Sequence, residues 1–347
     1  MSKIIYGVAG QGFGHSTRSK EIIKYLISQG HEVLVFAYGQ ALFLLKEEFN
    51  TFEIPGLHLE YQDNRLRYRK TLIKNIKQFF LQTRDFKKIS QKFKEFNPDL
   101  VITDFEPITT ILSKLKKKPL ISLDNQHQLT NTKIDLPGNY KKDFLADKMI
   151  VRSMVWGAKY YLVTSFFETE IKKKNTFLFP PIVRQEVLDL QPTKGDYILV
   201  YQPSNHEGFA DILKKFNNKF IIFGYDLEKT DGNLEFKKYS SSEWLKYLSD
   251  CQAVVATAGL SLICEALYLK KPYLAIPIKR QIEQIINAIY LKKQGYGDFT
   301  YKFCQQDFND FMKNLPTIEA KLTKYSHKDN AKIFNKIDEL IKCIVSK

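Results

Sequence analysis

Five short apolar runs in the first half of the chain, residues 4–9, 32–37, 100–103, 120–123 and 161–164, are separated by segments with helical spacing. Runs of four to six such residues suit buried strands, and strands that alternate with helices pack as a mostly parallel sheet covered on both faces. Pro180-Pro181 stops the pattern, because proline lacks an N–H and fits neither a helix interior nor a central strand. The alternation restarts with residues 197–201, 220–223, 253–257 and 273–276. The pattern therefore predicts an α/β protein of two doubly wound domains, residues 1–179 and 180–347, facing one cleft. Such sheets take their ligands beyond the carboxyl ends of the strands. Helices are expected over residues 16–28, 40–49, 282–293 and 329–345, the last free to return to the first domain.

A chain of 347 residues, 44% hydrophobic and 26% charged, can fill two cores of ordinary size. It contains no run of about 18 apolar residues, and its N-terminus enters strand-like sequence at once. The expected location is cytoplasmic, with peripheral attachment at the inner face of a membrane left open. Cys251, Cys264, Cys304 and Cys343 include no C-x-x-C pair and read as free thiols, not as disulfides or a zinc site.

The net charge of +15 is unevenly placed, with 29 Lys/Arg against 18 Asp/Glu up to residue 180 and 24 against 20 beyond it. Residues 65–94 hold eleven basic side chains and one acid, Asp85. Leu72, Ile76, Phe79, Phe86, Phe93 and Phe96 recur over residues 72–96 at spacings of three, four and seven, which predicts a basic amphipathic helix. Such an excess implies a polyanionic partner: nucleic acid, an anionic membrane surface or a phosphorylated substrate. The phenylalanines have the period of a packed face and no RNA- or DNA-binding signature accompanies them, so no nucleic acid is expected, and the charges are expected either to meet an anionic membrane surface or only to solubilise a core helix. A nucleic-acid-binding protein remains the non-enzyme alternative.

Gly7, Gly10, Gly12 and Gly14 follow the first apolar run and lead into His15. A glycine-rich turn between a first strand and its helix lets a phosphate or sugar reach backbone N–H groups. A dinucleotide site fails on two counts. His15 stands where G-x-G-x-x-G needs its third glycine, and the second strand ends in Phe36-Ala-Tyr-Gly39 with no carboxylate for a ribose. No G-x-x-x-x-G-K-[ST] loop is present either.

In the second half, Gly259-Leu-Ser-Leu-Ile-Cys-Glu-Ala-Leu267 is followed by Lys271-Pro-Tyr-Leu-Ala-Ile-Pro277 and Glu283-Gln-Ile-Ile-Asn-Ala288. The order G-x-(5)-E-A-L, K-P-x-L-x-I-P, E-Q-x-x-N-A resembles the donor-binding half of GT-B fold nucleotide-sugar glycosyltransferases. The lipid-II-forming N-acetylglucosaminyltransferases of family 28 and the UDP-glucuronosyltransferase superfamily are the groups it is most similar to. Gly12-Phe-Gly-His-Ser-Thr-Arg18, Thr103-Asp-Phe-Glu-Pro107, Asp124-Asn-Gln-His127 and Pro180-Pro-Ile-Val-Arg184 look like a microbial branch of that group, so the resemblance spans nearly the whole chain.

The resemblance implies two Rossmann-like domains and transfer of a sugar from a nucleotide-sugar, by default UDP-linked, to a hydroxyl on a glycan or lipid-linked acceptor. It implies an inverting reaction, and with no Asp-x-Asp in the chain, a metal-independent one that needs no cofactor. Glu265 corresponds to the family's ribose-binding glutamate, and Glu283 and Gln284 to the pair that holds donor-sugar hydroxyls. Gly259 and Ser261 open a helix whose N–H groups suit a diphosphate. Thr257 replaces a phosphate-contacting histidine of plant and animal relatives, which shifts that task to backbone N–H groups or to Arg184 and Lys279.

His15 corresponds to the family's general base, with Gly12 and Gly14 beside the passing substrates and Asp104 able to orient the ring. Asp104 or Glu106 stands next in line as base. Asn125, Gln126 and His127 are assigned to acceptor recognition, Ser204, Asn205 and His206 to the diphosphate or sugar, and Tyr239 to Ser241 to the region of the nucleobase. The enzyme alternative is a nucleotide-sugar epimerase of the same fold.

Overall fold

The computed structural model describes residues 1–10, 13–56, 61–62, 65–66, 83–202, 208–327 and 329–346. The chain forms two compact units, Met1–Arg184 with Asp329–Lys347, and Gln185–Lys328.

The first unit is built on β1 (Lys3–Val8), β2 (Glu32–Ala37), β3 (Thr51–Glu53), β6 (Leu100–Asp104), β7 (Leu120–Asp124), β8 (Tyr160–Thr164) and β9 (Thr176–Phe179), in the order β3-β2-β1-β6-β7-β8-β9. All of its pairings are parallel. A separate antiparallel pair joins β4 (Tyr61–Gln62) and β5 (Arg65–Leu66). Side chains of a strand alternate between faces. Ile4, Tyr6 and Val8 accordingly pack with Ile22, Ile23 and Leu26 of the Phe13–Ser28 helix, whereas Ile5 joins Phe36, Ile89, Phe93 and Leu112 on the other side.

The second unit repeats the scheme with β10 (Tyr197–Tyr201), β11 (Lys219–Phe223), β12 (Lys229–Asp231), β13 (Leu234–Lys237), β14 (Ala253–Ala256), β15 (Tyr273–Ala275) and β16 (Gly297–Phe299). Their order is β12-β13-β11-β10-β14-β15-β16, parallel except at β12–β13.

The division falls after Arg184, not at the double proline. Ile182 and Val183 are buried in the first unit, and Val183 exchanges two hydrogen bonds with the Asn330 side chain, its N–H donating at 3.1 Å and its carbonyl accepting at 2.7 Å. The last helix, Ala331–Val345, buries Ile333, Ile337, Leu340, Ile341 and Ile344 in the β1 side of the first core.

Of the basic stretch, the Thr83–Phe96 helix is described: Ile89, Phe93 and Phe96 are buried, and Lys87, Lys88 and Lys94 are exposed. Residues 65–66 belong to β5, since their backbone pairs with Tyr61–Gln62, and Leu72, Ile76 and Phe79 lie outside the described residues. Among the described residues no helix is long and apolar enough to cross a membrane.

Candidate functional site

In the first unit the strand order reverses between β1 and β6, which neighbour each other although β2 follows β1 in sequence. A ligand crevice opens at the carboxyl ends of the strands at such a switch point. Asp104 ends β6 there, in register with Val8, and its carbonyl accepts from the Ala9 N–H at 3.1 Å. The Phe13–Ser28 helix starts just beyond, so His15, Arg18 and Ser19 share one face at spacings of three and four and point at Asp104.

All of Asp104 is buried, and its carboxylate is saturated with donors. His15 Nδ1 lies 2.7 Å from Oδ1, Arg18 Nη2 donates to Oδ1 at 2.5 Å and Nε to Oδ2 at 2.7 Å, and the Ser19 hydroxyl donates to Oδ2 at 2.9 Å. Burial alone would raise the Asp104 pKa, but the charge of Arg18, followed by His15, overrides it and holds the group at about 2. An ionised carboxylate only accepts, so the Asp104 contact calls for a hydrogen on Nδ1 of His15, while Arg18 Nη2, also a donor, lies 2.9 Å from the same nitrogen. Gln126 Nε2 stands 3.4 Å from the other ring nitrogen, Nε2.

Phe105 follows in the left-handed region, φ 58°, and stacks on the His15 ring with centroids 6.5 Å apart at 14°. A non-glycine residue is uncommon there, and such backbone gathers at functional sites. The turn sends Glu106 back to cap the Pro107–Leu115 helix, where its two oxygens accept from the N–H groups of Ile108 at 2.8 Å and Thr109 at 2.7 Å. Glu106 is thus a helix cap and not a reserve base. Burial pushes its pKa up to about 7.

The acceptor assignments separate. Asn125 accepts from Arg18 Nη1 at 2.7 Å, and Gln126 borders His15. His127 instead turns inward, 3% exposed, with Nδ1 2.8 Å from Asp124 and Nε2 3.2 Å from the Val155 carbonyl. With both ring nitrogens taken up by the protein, it holds the loop and does not face the His15 site. The charge of His127 keeps the Asp124 carboxyl below the usual range against the opposing effect of burial.

Two of the opening glycines serve the protein itself. A Cβ on Gly7 would stand 2.3 Å from the Thr109 hydroxyl, and one on Gly10 would stand 2.1 Å from the Tyr38 carbonyl. Gly14 immediately precedes His15 in the first helical turn, and Gly12 lies outside the described residues.

In the second unit the order reverses between β10 and β14. Thr257 and Gly259 follow β14, and Gly259 N-caps the Leu260–Tyr268 helix with Ser261 in its first turn. A Cβ on Gly259 would meet nothing within 4 Å, and its φ of −68° is open to any residue. Packing among the described residues therefore gives no reason for glycine, which fits a position kept clear for something outside the chain. Glu265 is only 7% exposed, so it is no ordinary solvated helix glutamate.

Gln284 is also buried, and its Oε1 accepts from the Ile278 N–H at 3.0 Å. Asn287 donates to the Ala258 carbonyl at 3.0 Å and ties the Ile282–Gln294 helix to the loop before Gly259. Glu283 is half-buried beside Gln284, Lys279 is exposed, and Arg184 ends the first unit. Tyr239 is exposed and lies 6.4 Å from the Trp244 ring, centroid to centroid. Ser204, Asn205 and His206 lie outside the described residues.

Arg18 and Ser19 are the members of the first site that sequence reasoning passed over. Their signal was present as His-x-x-Arg-Ser, the spacing that stacks side chains on one helix face.

Known proteins are similar to this chain in sequence and in fold. A family profile described as glycosyl transferase family 1 matches residues 2–316. An uncharacterized glycosyltransferase of Methanosarcina acetivorans is 24% identical over 324 residues, covering 85% of this chain and 84% of its own. The UDP-N-acetylglucosamine–N-acetylmuramyl-(pentapeptide) pyrophosphoryl-undecaprenol N-acetylglucosamine transferase 2 of Bacillus cereus is 23% identical over 365 residues, covering 95% and 97%. Among solved structures, the glycotransferase of kitacinnamycin superposes with a TM-score of 0.70 at 14% identity, covering 97% and 98% of the two chains. Acinetobacter baumannii MurG does so at 0.62 and 15%, covering 98% and 100%. The two parallel sheets are thus the two Rossmann-like domains of the GT-B fold. With the profile spanning nearly all of both units, the chain belongs to glycosyl transferase family 1 and is a glycosyltransferase.

Proposed function

We propose that this glycosyltransferase moves a sugar from a UDP-linked donor to a hydroxyl of a glycan or lipid-linked acceptor, with inversion and without a metal. The observation that carries the reading is the His15–Asp104 pair at the switch point of the first sheet, in which the carboxylate holds the ring by Nδ1 and not by Nε2. In the proposed step the acceptor hydroxyl gives its proton to Nε2 as its oxygen bonds the anomeric carbon. The bond from that carbon to the diphosphate breaks, and the nucleoside diphosphate leaves with the electron pair. Asp104 fixes the ring and stabilises the imidazolium, while Arg18 keeps the carboxylate ionised.

On the donor side, the helix N-terminus at Gly259 with Ser261 and Thr257 receives the diphosphate, Glu265 the ribose, Glu283 and the amide nitrogen of Gln284 the sugar. Asn125 and Gln126 border the acceptor. The name of the Bacillus cereus relative supports a UDP-linked donor and a lipid-linked acceptor. Such an acceptor suits a cytoplasmic enzyme held at the inner face of the membrane by basic residues 65–94. No resident cofactor is proposed.

The test is His15→Ala. It is expected to bind UDP within about twofold of wild type and to lose about 10²- to 10⁴-fold in turnover. Retention of more than about a third of wild-type turnover with chemistry limiting would place the base elsewhere. In parallel, Glu265→Ala is expected to abolish the thermal stabilisation by UDP. Ligand at 100 times its dissociation constant should supply about 2.7 kcal/mol in the wild type. Equal UDP affinity in the two proteins would remove the ribose assignment.

A further inference from the structure

One strand pair away from the His15 site, the first unit carries a pocket of about 270 Å³ beside β7 and β8. Its floor is rigid. The His127 ring is fixed from both sides by Asp124 and the Val155 carbonyl, and Asn131 donates to the Thr176 hydroxyl at 3.0 Å. Its wall is the turn after the Lys141–Met154 helix, where Gly157 has φ 62° and its carbonyl accepts from Lys114. That turn presents Trp156, 41% exposed, and Tyr161 lines the same pocket.

The Lys and Arg side chains that line the pocket meet no lining carboxylate. They are Arg152 and Lys173, and neither cation has an ion-pair partner among the described residues. Lys173 sits over the Tyr161 ring at 4.0 Å. Lys148 lies near enough to Arg152 and Lys172 that their charges, after burial, push its pKa down. Two cations on one concave, aromatic-lined surface, with Lys148 close to Arg152, repel until an anion joins them. Guanidinium and ammonium groups match phosphate oxygens, and an aromatic face matches the C–H side of a sugar or glycerol body.

We propose that this pocket binds a phosphorylated polyol, with Arg152 and Lys173 on the phosphate and Trp156 against the carbon face. The proposal is independent of the transfer chemistry at His15. Two sources share this chemistry, a free sugar or glycerol phosphate and the headgroup of a glycerophospholipid. Leu145 and Met149 are 57% and 66% exposed on the same helix face as Arg152, at spacings of four and three, and form an apolar rim that a lipid would cover.

Tryptophan fluorescence tests it directly, because the only other tryptophan, Trp244, is 4% exposed. The full chain is titrated with sn-glycerol 3-phosphate and, separately, with vesicles of phosphatidylcholine alone or mixed with phosphatidylglycerol. A saturable change is expected that disappears in Trp156→Phe. Its midpoint should rise at least about tenfold in Arg152→Gln/Lys173→Gln, the loss of charge-assisted hydrogen bonds. Saturation by the soluble ester identifies a free metabolite, and saturation only by the phosphatidylglycerol vesicles identifies a lipid headgroup; either supports the pocket. Absence of any change with both probes overturns it. So does a change that survives Trp156→Phe, or an unaltered midpoint in the double variant or, where that variant melts early, in Lys173→Gln alone.

Discussion

Asp104 and Glu106 stand two residues apart, both fully buried, and their pKa values move in opposite directions. Asp104 has a cationic partner and is held at about 2, so it adds stability that is present above its unfolded value near 3.8 and is lost as pH falls through about 2. The contribution is about 2 kcal/mol. Burial raises Glu106 from 4.5 to about 7, against the hydrogen bonds from the Thr109 and Ile108 N–H groups and the Thr109 side chain. The stability it contributes is complete below pH 4.5 and is lost as pH rises through about 7. Urea midpoints measured from pH 2 to 8 should therefore rise along an acid limb and fall along a second limb between about pH 4.5 and 7. Glu106→Gln should flatten the second limb only. Asp104→Asn should leave Arg18 buried without its counter-charge and cost about 3–5 kcal/mol, with transfer lost as well. An unchanged acid limb in Asp104→Asn would show that the Arg18 pair does not govern it.

The strand-to-helix turns of the two units use glycine for different reasons, and substitution separates them. Gly10 faces the Tyr38 carbonyl at a distance no Cβ can accept, and backbone cannot step aside as a flexible side chain does. Gly10→Ala should cost several kcal/mol, of the order of the larger overpacking effects. Gly259→Ala meets nothing within 4 Å at an ordinary φ and should unfold within about 1 kcal/mol of wild type, on the stable side. Under the proposed function its UDP affinity should nevertheless fall, because the methyl group would occupy the space that reading gives to the diphosphate. Thermal melts with and without UDP check both variants. A Gly259→Ala protein with undiminished UDP stabilisation would mean that the clear space has another purpose.

At the scale of the molecule, the last helix joins the first unit although the second unit precedes it in sequence. Five of its side chains are buried against β1 and its neighbours. Burial of an Ile or Leu is worth about 1.5–3 kcal/mol, so together they rival the 5–15 kcal/mol that stabilises an ordinary domain. A chain ending at Lys328 should therefore lose the unfolding transition of the first unit while the second, one continuous stretch from Gln185, keeps its own. Scanning calorimetry of the truncated and full chains decides this. Two intact transitions in the truncated protein would show that the helix is dispensable.

The amino-acid sequence by itself determined the two parallel sheets, because strand length, apolar content and helical spacing are local properties that residues 4–9, 32–37, 100–103 and 197–201 carry unaided. It also carried the order of motifs that led to His15, Asp104, Gly259 and Glu265. Tertiary structure decided what depends on partners distant in the chain. Arg18 meets Asp104 across 86 positions, which turns a helix-start histidine and a strand-end carboxylate into an oriented pair. His127 is drawn inward by a carbonyl 28 residues away, Gly7 and Gly10 answer to Thr109 and Tyr38, and Asn330 binds Val183 across 147 positions to move the unit boundary past the double proline. Periodicity records which face of an element is buried, but the identity of the group waiting there follows only from the order of the strands.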